Sequence, residues 1–190
     1  MAAAERRGAL MNLTGFTAIV LVVAWLLGVA APARADEVTE VNRLVKAGNP
    51  AEAMAKLDEL LAARPKDAQL RFLKGVLLAE ANRDGEAIAI FTRLNEDYPE
   101  LAEPYNNLAV LYAGQGRYDK ALLALEAAVR ANPQYATAYA NLGDIHARLA
   151  VQAYARARAL DANDPSLGPK IAQLQTLFTA KPVERVPTTP

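Results

Sequence analysis

Cysteine is absent from these 190 residues, histidine and tryptophan occur once each, and neither sign of charge prevails, with 21 Lys and Arg against 21 Asp and Glu. Each scarcity excludes a class. Without thiols there is no disulfide framework, no iron-sulfur cluster and no thiolate zinc site. One imidazole cannot build a multi-histidine metal centre, and it leaves a single side chain suited to proton transfer at neutral pH. No cofactor, no metal and no catalytic residue is therefore expected, and the chain reads as a non-enzyme. A balanced charge gives no basic face to displace counterions from phosphate, so no nucleic-acid partner is expected either. Aromatic residues make up only 6%, whereas 41 alanines and 26 leucines are about a third of the chain. That bias toward helix formers over β-branched and aromatic residues predicts an all-α fold.

The apolar content is unevenly spread. Arg6 and Arg7 precede the run from Ala18 to Ala31, no charge falls between Arg7 and Arg34, and Ala33-Arg34-Ala35 offers small residues at the two positions a signal peptidase reads. A basic segment, an apolar core and an A-x-A site in this order predict a signal peptide over 1–35, cut after Ala35, and a periplasmic or otherwise exported protein. The alternative is an uncleaved leader that anchors the chain in the inner membrane facing the periplasm; a membrane partner is expected only in that case. Cleavage removes three basic residues and one acidic one, so the 21 and 21 become 18 and 20.

The remainder repeats. Pro65, Pro99 and Pro133 are 34 residues apart, with Ala53, Ala87 and Ala121 twelve residues before them and Leu57, Phe91 and Leu125 eight before. Leu60, Leu94 and Ala128 stand five before. In the first half of each period, Tyr105, Leu108, Ala109 and Tyr112 correspond to Tyr139, Leu142, Gly143 and His146, and more loosely to Arg71, Lys74, Gly75 and Leu78. Breakers fall between the halves at Gly48-Asn49-Pro50, Asn82-Arg83-Asp84-Gly85 and Gly114-Gln115-Gly116. A small residue at 75, 109 or 143 lets two helices approach closely, while Phe91 and Leu125 fill the space between pairs. This pattern resembles the tetratricopeptide repeat (TPR) family. The resemblance implies a short right-handed superhelical solenoid of antiparallel helix pairs, spanning 36–162 in units of about 36–67, 68–101, 102–135 and 136–162.

The fourth unit departs from the pattern. Ala150, Tyr154, Ala157 and Ala162 reproduce the second-helix positions five residues early, and no Gly, Pro, Asn, Asp or Ser occurs from Ile145 to Leu160. One fused helix from about Ala136 to Leu160 is expected, roughly 37 Å long at 1.5 Å per residue, with a hairpin squeezed around Arg148 to Gln152 as the alternative. Leu142, Leu149, Ala153 and Leu160 would form its apolar stripe. That stripe has to be covered by the next helix or by another copy, so a homodimer through the fourth unit is a further expectation. After Asp164-Pro165, a capping helix is expected within 163–179, with Ile171, Leu174, Leu177 and Phe178 on one face. Residues 180–190 are Pro-rich and aperiodic, which predicts disorder.

The TPR resemblance also implies where function sits. First helices line a concave face on which extended peptides or partner proteins bind, so the chain is expected to be a protein interaction module, an adaptor or assembly factor of the envelope. The alternatives are a membrane-anchored subunit of an envelope machine and a self-associating scaffold. Repeat alignment places Phe72, Val76, Asn106, Asn107, Val110, Asn141, Asp144 and Arg148 on that face. Asn107 and Asn141 hold equivalent places and resemble an asparagine ladder, since an amide offers both donor and acceptor to a peptide backbone. The alternative is that these asparagines are ordinary solvated choices. A carboxylate clamp is disfavoured: Asn42 fits one of its positions, but Val38, Leu73, Glu103 and Asn107 occupy the others. His146 takes the place of an inward tyrosine and is expected to be a core or half-buried structural residue, and the seven tyrosines are expected to pack between helices.

Overall fold

A computed structural model describes residues 30–178, all-helical with no strand among the described residues. The helices are α1 (Ala30–Lys46), α2 (Pro50–Ala63), α3 (Ala68–Glu80), α4 (Asp84–Asp97), α5 (Ala102–Gly114), α6 (Tyr118–Ala131), α7 (Ala136–Leu160) and α8 (Leu167–Thr176). Most of the expected signal peptide and the whole of the C-terminal tail lie outside the described residues. The proposed cleavage point after Ala35 falls within the bounds of α1.

The chain divides into two compact units, residues 1–49 and 50–190. In the first, α1 carries the buried residues Val41, Asn42 and Leu44. The second is the solenoid: α2 packs on α3, α3 on α4, and so on in sequence to α7 on α8, while the first helices α3 and α5 also touch. Small and large residues meet as the period requires. Ala53, Ala87 and Ala121, and with them Leu57, Phe91 and Leu125, have no exposed surface. Each large side chain buried in this way is worth about 1.5–3 kcal/mol. At the closest approach, a Cβ placed on Gly75 would stand 2.6 Å from Cε1 of Phe91, so the glycine makes room for the ring.

The turns explain both the hairpins and the exception. Among the described residues, Gly48, Asn82 and Gly116, 34 residues apart, are those with positive φ, at 78°, 58° and 70°. Glycine and asparagine tolerate this region because a branched or bulky side chain would clash there. After each, the next backbone N–H reaches back five residues: Asn49 to the Leu44 carbonyl at 3.0 Å, Arg83 to Leu78 at 2.8 Å and Arg117 to Tyr112 at 2.9 Å. This closes the helix end with a Schellman turn. The next position in the series is Ala150. Alanine neither favours positive φ nor frees a carbonyl, and α7 runs through it without interruption for 25 residues. At the other end of each pair, Pro65, Pro99 and Pro133 stand two residues beyond α2, α4 and α6, where a ring without an N–H stops further winding.

The second repeat, about 68–101, replaces part of the aromatic packing with charge. Arg71 and Lys74, at positions of Tyr105 and Leu108, pair with Asp97 of α4 and Asp58 of α2, each at 2.5 Å. Asp67 begins α3 by accepting the backbone N–H groups of Gln69 and Leu70 at 3.1 Å, a cap worth about 1 kcal/mol.

Three expectations for the last unit are corrected. Leu142 and Leu149 are half-buried against the core, whereas Ala153 and Leu160 are exposed, so the four do not form one stripe under one cover. His146 is exposed, and Tyr139 is 50% exposed. The cause is common to both: with no second helix folding back, the inward side of this unit has no cover. Leu177 is also exposed, so the cap holds α7 through Leu167 and Ile171, which are buried, and through Phe178.

Candidate functional site

The eight residues assigned to the first-helix face come from α3, α5 and α7, and they divide sharply. Asn106, Asn107, Val110, Asn141 and Val76 are buried, whereas Phe72, Asp144 and Arg148 are half-buried. The fold brings Asn106 and Asn141 together: the Asn141 Nδ2 donates to Asn106 Oδ1 at 2.8 Å, bridging α5 and α7. Asn106 is wholly buried and its own Nδ2 has no hydrogen-bond partner. Asn107, the expected rung, instead donates to the carbonyl of Glu103 one turn back on its own helix at 3.0 Å. The bonded asparagines are 35 residues apart, one more than the repeat period.

The other residues are drawn elsewhere. Phe72 leans on Phe91 with ring centroids 5.7 Å apart. Arg148 sits two turns beyond Asn141, its guanidinium 4.2 Å from the Phe178 ring and 5.7 Å from that of Tyr118, which ties α7 to the cap and to the start of α6. Contacts of this kind are worth about 0.5–2 kcal/mol depending on desolvation. Tyr135, just before α7, has a buried hydroxyl without a partner. Burial first, and then the carboxylate of Glu103, push its pKa up to about 12. Taken together, the face offers an amide pair with one vacant donor, apolar neighbours and an acidic edge. Among the described residues, no group of three or more His, Cys, Asp or Glu is placed to hold a metal, and no helix is long and apolar enough to cross a membrane.

A second concavity was not foreseen. Between α4, α5 and α6, an open cavity of about 490 Å³ is lined by Asn95, Tyr105, Leu108, Tyr112, Leu123 and Ala124, among others. Leu123 is 64% exposed at its edge. Asn95 is buried, and neither atom of its amide has a partner. One signal was available in the sequence: the residues 34 before and after it are Leu61 and Val129, both apolar.

Helical pairs of fixed period, with a left-handed residue at each inner turn, agree with what family comparison finds. Two tetratricopeptide repeat models match residues 38–102 and 83–134, together just over half of the chain. The chain belongs to the tetratricopeptide repeat family. A tetratricopeptide repeat domain-containing protein, PYG7, chloroplastic, of Arabidopsis thaliana is 34% identical over 79 residues, which are 39% of this chain and 26% of the relative. Among solved structures, YrrB, described as a TPR protein with an unusual peptide-binding site, is 28% identical with a TM-score of 0.50, covering 54% of this chain and 53% of that one. A tetratricopeptide repeat protein from Parabacteroides merdae shares the fold at 18% identity and a TM-score of 0.55, covering 76% and 59%. MamA does so at 18% and 0.54, covering 73% and 84%. The chain thus spans about a quarter of the curated relative and about half of YrrB. At the level these likenesses reach, the TPR array is a protein-protein interaction module.

Proposed function

We propose that the first-helix face of α3, α5 and α7 binds an extended segment of a partner protein, and that the protein acts as an adaptor or assembly factor of the bacterial envelope. The observation that carries this reading is the asparagine pair, in which Asn106 holds a buried amide donor with no acceptor beside an amide already engaged. Such a donor costs free energy in the empty protein; because Asn106 has no exposed surface, a backbone carbonyl reaches it only when the overlying side chains move aside, and then supplies the missing hydrogen bond. The likeness to YrrB supports a peptide as the occupant, and Glu103 and Asp144 at the edge favour a neutral or basic one.

A photo-crosslinking residue at Glu103 or Asp144, both half-buried on this face, tests it in cells. Capture of one protein from these positions, lost in the Asn106→Leu/Asn141→Leu variant, is the expected result. Equal capture from Arg130 on a second helix overturns the assignment. The same reading has the array exported behind residues 1–35, with a mature N-terminus at Asp36. The alternative, an anchored subunit, retains the leader, and N-terminal sequencing of the cellular protein separates the two.

A further inference from the structure

The fourth repeat is half a hairpin. Elsewhere in the solenoid a first helix is covered by its own second helix, as Gly75 of α3 is by the Phe91 ring of α4. In α7 the corresponding side is open: Tyr139 is 50% exposed, Gly143 and His146 are exposed, and a Cβ built on Gly143 meets nothing within 4 Å. The opening does not stop at the middle of the helix. Continuing from Tyr139, Gly143 and His146, the residues Ala150, Ala153, Ala157 and Leu160 follow at alternating steps of four and three. None of the seven is buried, and Leu160 is 75% exposed. Alternating steps of this kind keep side chains on one line of a helix and form the seam of a two-helix coiled coil. The line is about 32 Å long at 1.5 Å per residue. Four of its seven residues, Gly143, Ala150, Ala153 and Ala157, are small, and small residues let two helix backbones approach closely.

The cap helix does not close it. α8 meets α7 on a neighbouring flank, with Phe178 over Arg148 at 4.2 Å and Lys170 Nζ 5.4 Å from the Tyr154 ring. What the seam lacks is a second helix with the TPR second-helix pattern, and this chain carries one: Ala150, Tyr154 and Ala157 repeat the places of Ala121, Leu125 and Ala128. They lie on the same straight helix, so they cannot fold back onto it. Only another copy can present them.

We propose that α7 pairs antiparallel with α7 of a second copy, so that the C-terminal half of each completes the unfinished fourth repeat of the other. The register follows from the complete third repeat. Its inner turn, residues 115–117, is centred on Gly116 and sets Tyr112 of α5 within one residue of level with Ala121 of α6. Their counterparts in the fourth repeat are His146 and Ala150, so His146 stands level with Ala150 of the second copy. The same register sets Gly143 against Ala153 and Tyr139 against Ala157, about a two-fold axis beside Arg148. These pairs join the two alternating seam positions, as layers of an antiparallel coiled coil do. The surface is self-complementary, as a two-fold dimer requires. None of the seam residues belongs to the first-helix face proposed for partner binding, so either proposal can fail without the other.

Sedimentation velocity on the purified natural protein is expected to show a species of twice the monomer mass that gains population with concentration. Ala153→Glu adds a charge at a position exposed in the single chain; it is expected to weaken the dimer at least tenfold while the helical circular dichroism stays unchanged. Because the chain has no cysteine, a mixture of His146→Cys and Ala150→Cys copies reports the register directly. Oxidation is expected to give a mixed disulfide, absent when Leu123→Cys replaces the second partner. A monomer at all concentrations, a dimer indifferent to Ala153→Glu, or failure of the 146–150 disulfide to form each overturns the proposal.

Discussion

Asn106 and Asn141 show how much a single amide can decide. Their bond crosses from α5 to α7 inside the protein, so truncating Asn141 strands an Asn106 amide that already lacks one partner, at about 1–3 kcal/mol, whereas replacing both with leucine removes the stranded groups together and costs less. Denaturant titration of Asn141→Leu, Asn106→Leu and the double variant is expected to give this non-additive pattern, with a coupling of about 1 kcal/mol or more. Asn95 is the opposite case. Its amide has no partner to lose, and Leu61 and Val129 hold the equivalent places, so Asn95→Leu is expected to stabilise the protein by about 1 kcal/mol. Thermal unfolding checks this, and a lower midpoint would show that the amide is engaged after all. Gly75 and Phe91 form a third residue-scale unit. Gly75→Ala is expected to cost about 1–3 kcal/mol through overpacking. Phe91→Leu should recover part of the loss, because the third unit already combines Ala109 with Leu125.

Among elements, the inner turns govern whether a helix folds back or runs on. Gly116 has φ of 70° and Asn82 of 58°. Gly116→Ala is expected to lower stability by about 1–2 kcal/mol, since an L side chain is strained there, while Asn82→Gly should be neutral or slightly stabilising. Equal effects of the two substitutions would contradict the left-handed assignment. The same turn position read forward to Ala150 accounts for α7, and there sequence and structure agree because the determinant is local. Agreement fails for the faces of α7. Gly143, His146 and Tyr139 carry the family's inward pattern, yet they are open to solvent, because inwardness is a property of a hairpin and this unit has only one of its two helices.

For the molecule as a whole, stability against alkali should report the junction between the third and fourth units. Tyr135 has a folded pKa raised from 10 to about 12, chiefly by burial and further by Glu103. The folded state therefore holds the neutral phenol after the unfolded chain has ionised. Its contribution is present below pH 10 and is lost as pH rises toward 12. Unfolding midpoints across that window should fall less steeply in Tyr135→Phe, and an unchanged slope would remove the assignment. The pairing of α7 with a second copy also belongs to this scale, since it depends on a whole surface and no single bond.

The sequence alone determined the family, the period, the ends of the helices and the continuity of α7. Each of these rests on interactions within a turn or between adjacent halves of one repeat, and the chain states them again every 34 residues. Tertiary structure decided the rest. It set Asn106 against Asn141, drew Arg148 to Phe178, left Asn95 facing a cavity and exposed one long side of α7. Those outcomes depend on how neighbouring helices are rotated and on which neighbour is missing, and periodicity along a single helix carries neither.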